Sequence, residues 1–130
     1  MITTLILAAA LAVPGEAELK ARLPDIFAKS AAHYKALDAA ATPLMKDGKG
    51  ELRTPHGFNR MTLQLDMRSI YWWTSGHFSG SLWYIYEATG DAFFRDRATA
   101  WTEILEPVKD YVDNHDTGFM ICCSYARSMR

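Results

Sequence analysis

Cysteine is scarce in this chain of 130 residues: there are two, Cys122 and Cys123, side by side. Neighbouring cysteines rarely bridge each other, because disulfide geometry strains the peptide between them. The pair has no metal-binding spacing either, so it reads as two buried small residues. Charge of one sign is also missing. Fourteen Lys and Arg stand against fifteen Asp and Glu, a net charge of -1. That excludes the basic footprint of a nucleic-acid binder, and no nucleic-acid partner is expected. No apolar run reaches the ~20 residues that span a bilayer. There is no glycine-rich phosphate loop and no alternation of strand with helix, which argues against a dinucleotide-binding fold. No metal site is legible, and no cofactor is expected.

What the chain does have is an ordinary globular balance, 49% apolar and 22% charged, which suits one domain at most. Four Trp, six Tyr and six Phe are plentiful for this length. Aromatics build cores, and they also pack on the faces of sugar rings. Ile2 to Val13 is an apolar run followed by small residues at Ala10–Ala12 and Gly15–Ala17. This is the shape of a secretory leader over residues 1–17. It implies export to the periplasm or the extracellular space, with no stable membrane insertion after processing. No Lys or Arg precedes the run, and the start of a buried helix is the other reading of it.

Residues 18–130 read as helical. Leu19, Leu23, Ile26, Ser30, Tyr34 and Leu37 recur at steps of three and four between about Glu16 and Ala41, the period of an amphipathic helix. Pro24 falls early, where a helix tolerates it best. Lys46-Asp47-Gly48-Lys49-Gly50 and Thr54-Pro55-His56-Gly57 are turn chemistry, so Thr42 to Arg60 reads as a loop. Met61 to Trp73 has no helical period and reads as extended or irregular. Ser79 or Ser81 can cap a helix that stops at Gly90. Asp91 caps the next, whose apolar stripe is Phe94, Ala98, Trp101, Leu105, Val108 and Val112. Pro107 should kink or restart it. Asp116 or Thr117 can cap a last helix through Phe119, Met120, Ile121 and Tyr125.

Two segments can carry chemistry. In Trp73-Thr74-Ser75-Gly76-His77-Phe78-Ser79-Gly80, glycines and aromatics meet at a helix start. A backbone without Cβ atoms lets a ligand approach, the helix dipole favours an anion, and an aromatic face packs on a ring. The alternative is a tight loop feeding a core helix. In His115-Asp116-Thr117-Gly118-Phe119-Met120, Asp116 is either a helix N-cap or a carboxylate held at the mouth of a cavity. His115 beside it is a possible hydrogen-bond partner, although adjacent side chains need not converge. His33 and His56 receive no role.

Together the two segments resemble the unsaturated glucuronyl hydrolases. In that family the first segment is similar to Trp-Thr-Ser/Asp-Gly-Phe, then Gly and a Leu-Trp-Tyr-Tyr-Glu-Thr-Gly-Asp-like helix. The other segment is similar to His-Asp-x-Gly-Phe. Arg53-Thr54 and Glu106-Pro107 fit as well, so the resemblance covers about Arg53 to Arg130. It implies an all-α fold, part of an (α/α)6 barrel of helical hairpins around a sugar pocket. The implied substrates are unsaturated uronyl oligosaccharides released by polysaccharide lyases. The implied chemistry is hydration of the C4=C5 double bond, not attack at the anomeric carbon. Carried over to this sequence, Asp116 is the aspartate of the His-Asp motif that activity requires, and Trp73 contributes to the substrate pocket, with His115 beside it. The family's general acid/base aspartate lies further downstream.

Three residues depart from the family pattern. His77 stands where Phe is usual, Ser79 where Pro is common, and Trp72 where Asp is frequent. Length is the larger departure. Twelve helices with their loops need about 190 residues, whereas this chain offers about four helices and no aspartate after Asp116. The sequence therefore reads as the N-terminal portion of such an enzyme, inactive and prone to association by itself. Another (α/α)6 sugar enzyme, such as an unsaturated rhamnogalacturonyl hydrolase or an epimerase, is the alternative, and a non-catalytic sugar-binding remnant is a third.

Overall fold

The computed structural model of the chain describes residues 15–129. The run Ile2–Val13, and with it the body of the expected leader, lies outside them. No described helix is long and apolar enough to cross a membrane. Four helices dominate: α1 Glu16–Ala41, α2 Ser75–Thr89, α3 Ala92–Glu103 and α4 Thr117–Ser128. Between α1 and α2 stands a β-hairpin of strands β1 Arg53–Asn59 and β2 Gln64–Ser69.

The first helix runs where its periodicity puts it, from Glu16 to Ala41. Only its second half is covered. Tyr34 and Leu37 pack on the core, while Leu19, Leu23 and Ile26 are each nearly half exposed. The second helix starts earlier than its serines suggest, at Ser75 with Thr74 as N-cap residue. It stops at Gly90, whose left-handed φ of 68° lets its N–H reach the Tyr86 carbonyl at 2.8 Å, a conformation glycine adopts without strain. Asp91 then caps α3, its carboxylate accepting from the Phe93 N–H at 3.0 Å.

The stripe Phe94, Ala98, Trp101, Leu105 and Val108 is buried as its spacing predicts. Val112 is not, at 88% exposed. The α-helix ends at Glu103, and a 3-10 turn led by Pro107 follows over Glu106–Asp110. The 3.6-residue period therefore no longer places Val112 on the core face.

The loop expected over Thr42 to Arg60 is corrected by β1. Pro55 and Gly57 look like turn residues, yet they lie in a strand that is irregular between them, where Pro55 pairs with Met67 and Gly57 with Asp66. A bulge in a two-stranded sheet tolerates a proline with no N–H to donate. The hairpin lays Leu65 and Met67 on the main core.

Side-chain pairs fix the helix directions. Lys35 of α1 meets Asp91 at the start of α3, while Asp38, one turn on, meets Arg97 and Trp101 further along it, so α1 and α3 run parallel. Gly76 lies on the Met120 backbone and Gly80 on that of Cys123, so α2 and α4 also run parallel. The tight turn at Gly90, with Trp83 Nε1 donating to Thr102 Oγ1 at 3.2 Å, makes α2 antiparallel to α3. The helices thus alternate in direction along the chain. Phe78, Leu82, Trp83, Ile85, Phe94 and Trp101 form the core between them, with a second cluster of Ile70, Leu105, Val108 and Met120 under α4.

Candidate functional site

The parallel course of α2 and α4 brings their N-terminal ends to one side of the molecule. The two chemistry-bearing segments span the starts of these helices, so they share that side. Tyr71, just before the first segment, packs on Tyr111, just before the second, with ring centroids 4.8 Å apart.

Asp116 occupies the N-cap position of α4 by its backbone. Its carbonyl accepts from the Phe119 N–H at 2.8 Å and the Met120 N–H at 3.3 Å. Its side chain makes no capping bond. The turn is held instead by its neighbours. Asn114 Oδ1 accepts from the Asp116 N–H at 2.8 Å, and the Thr117 hydroxyl reaches the carbonyls of Asn114 and Tyr111. The Asp116 carboxylate, three-quarters buried, faces His115 Nδ1 at 2.9 Å. His115 itself is 90% exposed. Adjacent residues converge here, which chain proximity alone does not guarantee. The arrangement leaves one fixed carboxylate with an imidazole able to donate to it, a geometry that can orient or exchange a proton.

Trp73 is 42% exposed and meets the His77 ring edge-on at 5.8 Å. No hydrogen bond joins it to Asp116 or His115 among the described residues. The sequence-derived residues therefore form two groups on one side: a bonded His115–Asp116 pair, and Trp73 in the turn that leads into α2.

The glycines of the first segment serve a purpose other than the expected ligand approach. A Cβ on Gly76 would lie 2.1 Å from the Met120 carbonyl oxygen, and one on Gly80 would lie 2.3 Å from that of Cys123. Their bareness lets α4 close on α2. The cysteines also differ from expectation. Cys122 is exposed and Cys123 half-buried, both as free thiols, and burial together with the neighbouring Cys122 pushes the Cys123 thiol above its ordinary pKa.

The three departures from the family pattern have distinct surroundings. Ser79 is buried and donates to the Gly76 carbonyl at 3.2 Å. Trp72 lies beneath the Arg68 guanidinium and edge-on to His56. His77 lines two clefts that flank α2. One, of about 330 Å³, also includes His56, Tyr34 and Phe58. The other, of about 380 Å³, includes Tyr84, Cys122 and Arg127. Neither is lined by Trp73, His115 or Asp116. Sequence reasoning gave His56 no place, and nothing in its neighbourhood signalled one, because the strand irregularity that carries it is set by pairing with β2.

No family profile matches the chain. Over 58 residues, 45% of its length, the chain is 41% identical to an unsaturated glucuronyl hydrolase of Formosa agariphila, and this covers 14% of that protein. A crystal structure of an unsaturated glucuronyl hydrolase specific for heparin matches 82% of the chain at a TM-score of 0.64 and 30% identity, over 27% of the solved chain. The helices described above are part of an (α/α)6 barrel, and the chain spans a small share of either relative.

Proposed function

We propose that this chain is the N-terminal portion of a hydrolase acting on unsaturated glucuronyl oligosaccharides, the products of polysaccharide lyases. In the proposed reaction a proton is delivered to C4 of the C4=C5 double bond and water adds at C5. The resulting hemiketal opens, and the glycosidic partner is released. Asp116 is the aspartate the chain contributes to this chemistry, His115 is its substrate-side partner, and Trp73 offers a ring face to the sugar. A second, general acid/base aspartate comes from beyond these residues.

The observation that carries this reading is the state of Asp116. Its carboxylate is fixed by His115 and left out of helix capping, at the end of the α2–α4 pair where Trp73 is also exposed. A residue serving only as a cap would accept an N–H of the first turn, as Asp91 does in α3. The test is loss of the ultraviolet absorbance of a conjugated unsaturated uronide by the full-length protein and by its Asp116→Asn variant. Rapid loss with the first and almost none with the second is expected. Near-normal turnover by the variant removes Asp116 from the mechanism, and a full-length protein that leaves the double bond intact sinks the assignment.

On the same reading the protein works outside the cytoplasm, in the periplasm or medium. Support comes from the leader-like run Ile2–Val13 and from a substrate made by lyases acting on large polysaccharides. N-terminal sequencing of the native protein tests this; an intact Met1 on the mature protein counts against export.

A further inference from the structure

We infer that His56 and His77 together form an anion subsite that binds the carboxylate or sulfate of an acidic saccharide beside Trp73. The inference rests on the carbohydrate reading above for its choice of ligand, and on Thr74 for its geometry. Thr74 holds both rings: its hydroxyl meets His56 Nδ1 at 2.9 Å, and its carbonyl lies 3.2 Å from His77 Nδ1. A carbonyl only accepts, so His77 Nδ1 carries the proton and its Nε2 is left for another partner. Among the described residues, neither histidine's Nε2 has a hydrogen-bond partner.

The irregular pairing of β1 around His56, between Pro55 and Gly57, is the kind of feature that re-aims a side chain. Here it brings a hairpin histidine to the start of α2. Both imidazoles line the same cleft of about 330 Å³, whose walls include no Asp, Glu, Lys or Arg. The rings are thus the only groups in it able to become charged near neutrality. Phe58 and Tyr34 supply apolar walls, and Trp73, just outside that lining, stands edge-on to the His77 ring at 5.8 Å. Other titratable groups around His77 are Tyr34 on α1, Tyr84 on α2, and Cys122, Cys123 and Arg127 on α4. Arg127 is already engaged by Glu87 and stacked on the Tyr84 ring. An imidazolium donates stronger, charge-assisted bonds to an anion than the neutral ring does. Binding therefore tightens at acid pH.

The probe is a saturated glucuronyl disaccharide, which presents the carboxylate but has no double bond to hydrate. With the full-length protein, calorimetric affinity should weaken on the order of tenfold between about pH 5.5 and about pH 8. The methyl ester of the same disaccharide should show no such dependence. The His56→Gln, His77→Gln double variant should lose the pH dependence; a double variant that keeps it overturns the subsite. Proton NMR of the histidine rings in the unmutated protein provides a reading free of folding effects. Ring resonances of both histidines shifted by the disaccharide support the subsite, and unmoved ones overturn it. Equal shifts with inorganic sulfate alone would mark a general anion site and overturn the saccharide assignment. These readouts need no turnover. Binding as expected without double-bond hydration would sink the proposed function and leave the subsite. Hydration without a histidine response would do the reverse.

Discussion

Gly76 rests on the backbone of Met120 so closely that a Cβ would sit 2.1 Å from the Met120 carbonyl oxygen. One turn on, Gly80 repeats the contact at Cys123. The obstacle in both cases is backbone, which cannot swing aside like a side chain. Gly80→Ala should therefore force α2 and α4 apart, at a cost of about 1–3 kcal/mol, and lower the melting temperature by several degrees. The helix-favouring effect of alanine, up to about 1 kcal/mol, works the other way. An unchanged melting temperature would show that the helices can separate freely.

Asp38 makes a polar contact between α1 and α3. It is 5% exposed, and it accepts from Trp101 Nε1 at 2.7 Å and from Arg97 Nε at 2.8 Å. Asp38→Ala strands a partly buried guanidinium and a buried indole N–H, and should destabilise by about 3–5 kcal/mol. Asp38→Asn keeps one acceptor and should lose less. Chemical denaturation of the two variants checks the order, and equal losses would mean that the retained acceptor adds nothing and the charge carries the contact.

Asp116→Asn should leave stability nearly untouched, because the carboxylate caps nothing. Activity of the full-length protein should fall on the order of a hundredfold or more, the scale for removing an acid–base or charge-stabilising group at a reacting centre. A variant that loses stability and activity in proportion would return Asp116 to a structural role.

Asp91 links acid stability to two contacts. The Lys35 ammonium and the Phe93 N–H hold its carboxyl below the ordinary range. Its folded pKa is thus lower than its unfolded one. The stabilisation is complete above the unfolded value and is lost as pH falls through the folded value. Asp91→Asn keeps a cap but cannot titrate. Stability of the unmutated protein should drop more steeply below about pH 4 than that of the variant; parallel acid titrations would disprove the linkage.

The 130-residue chain produced alone should self-associate. Leu19, Leu23 and Ile26 lie on one stretch of α1, and Trp73, Tyr84 and Phe119 stand at the α2–α4 pair, all between 42% and 55% exposed. Exposed apolar groups on this scale favour association. Sedimentation velocity should find oligomers, and a monomer with a sharp cooperative melt would contradict this.

Helix identity was written in local sequence. The period of Tyr34 and Leu37, the stripe from Phe94 to Val108, the stop at Gly90 and the cap at Asp91 depend on neighbours within a turn or two. Such features survive in a one-dimensional reading, and so did the motifs around Trp73 and Asp116. The start of α2 at Ser75, the hairpin, and the paths of Val112 and Leu19 did not. Each depends on which distant residues arrive to bond or cover a segment: β1 is a strand because Gln64–Ser69 lies beside it. Only tertiary structure decided that Gly76 and Gly80 serve helix packing and that Thr74 gathers His56 with His77. Those outcomes rest on the parallel meeting of α2 with α4 and on the folding of the hairpin over the start of α2. Contacts between residues far apart in sequence leave no local period to read.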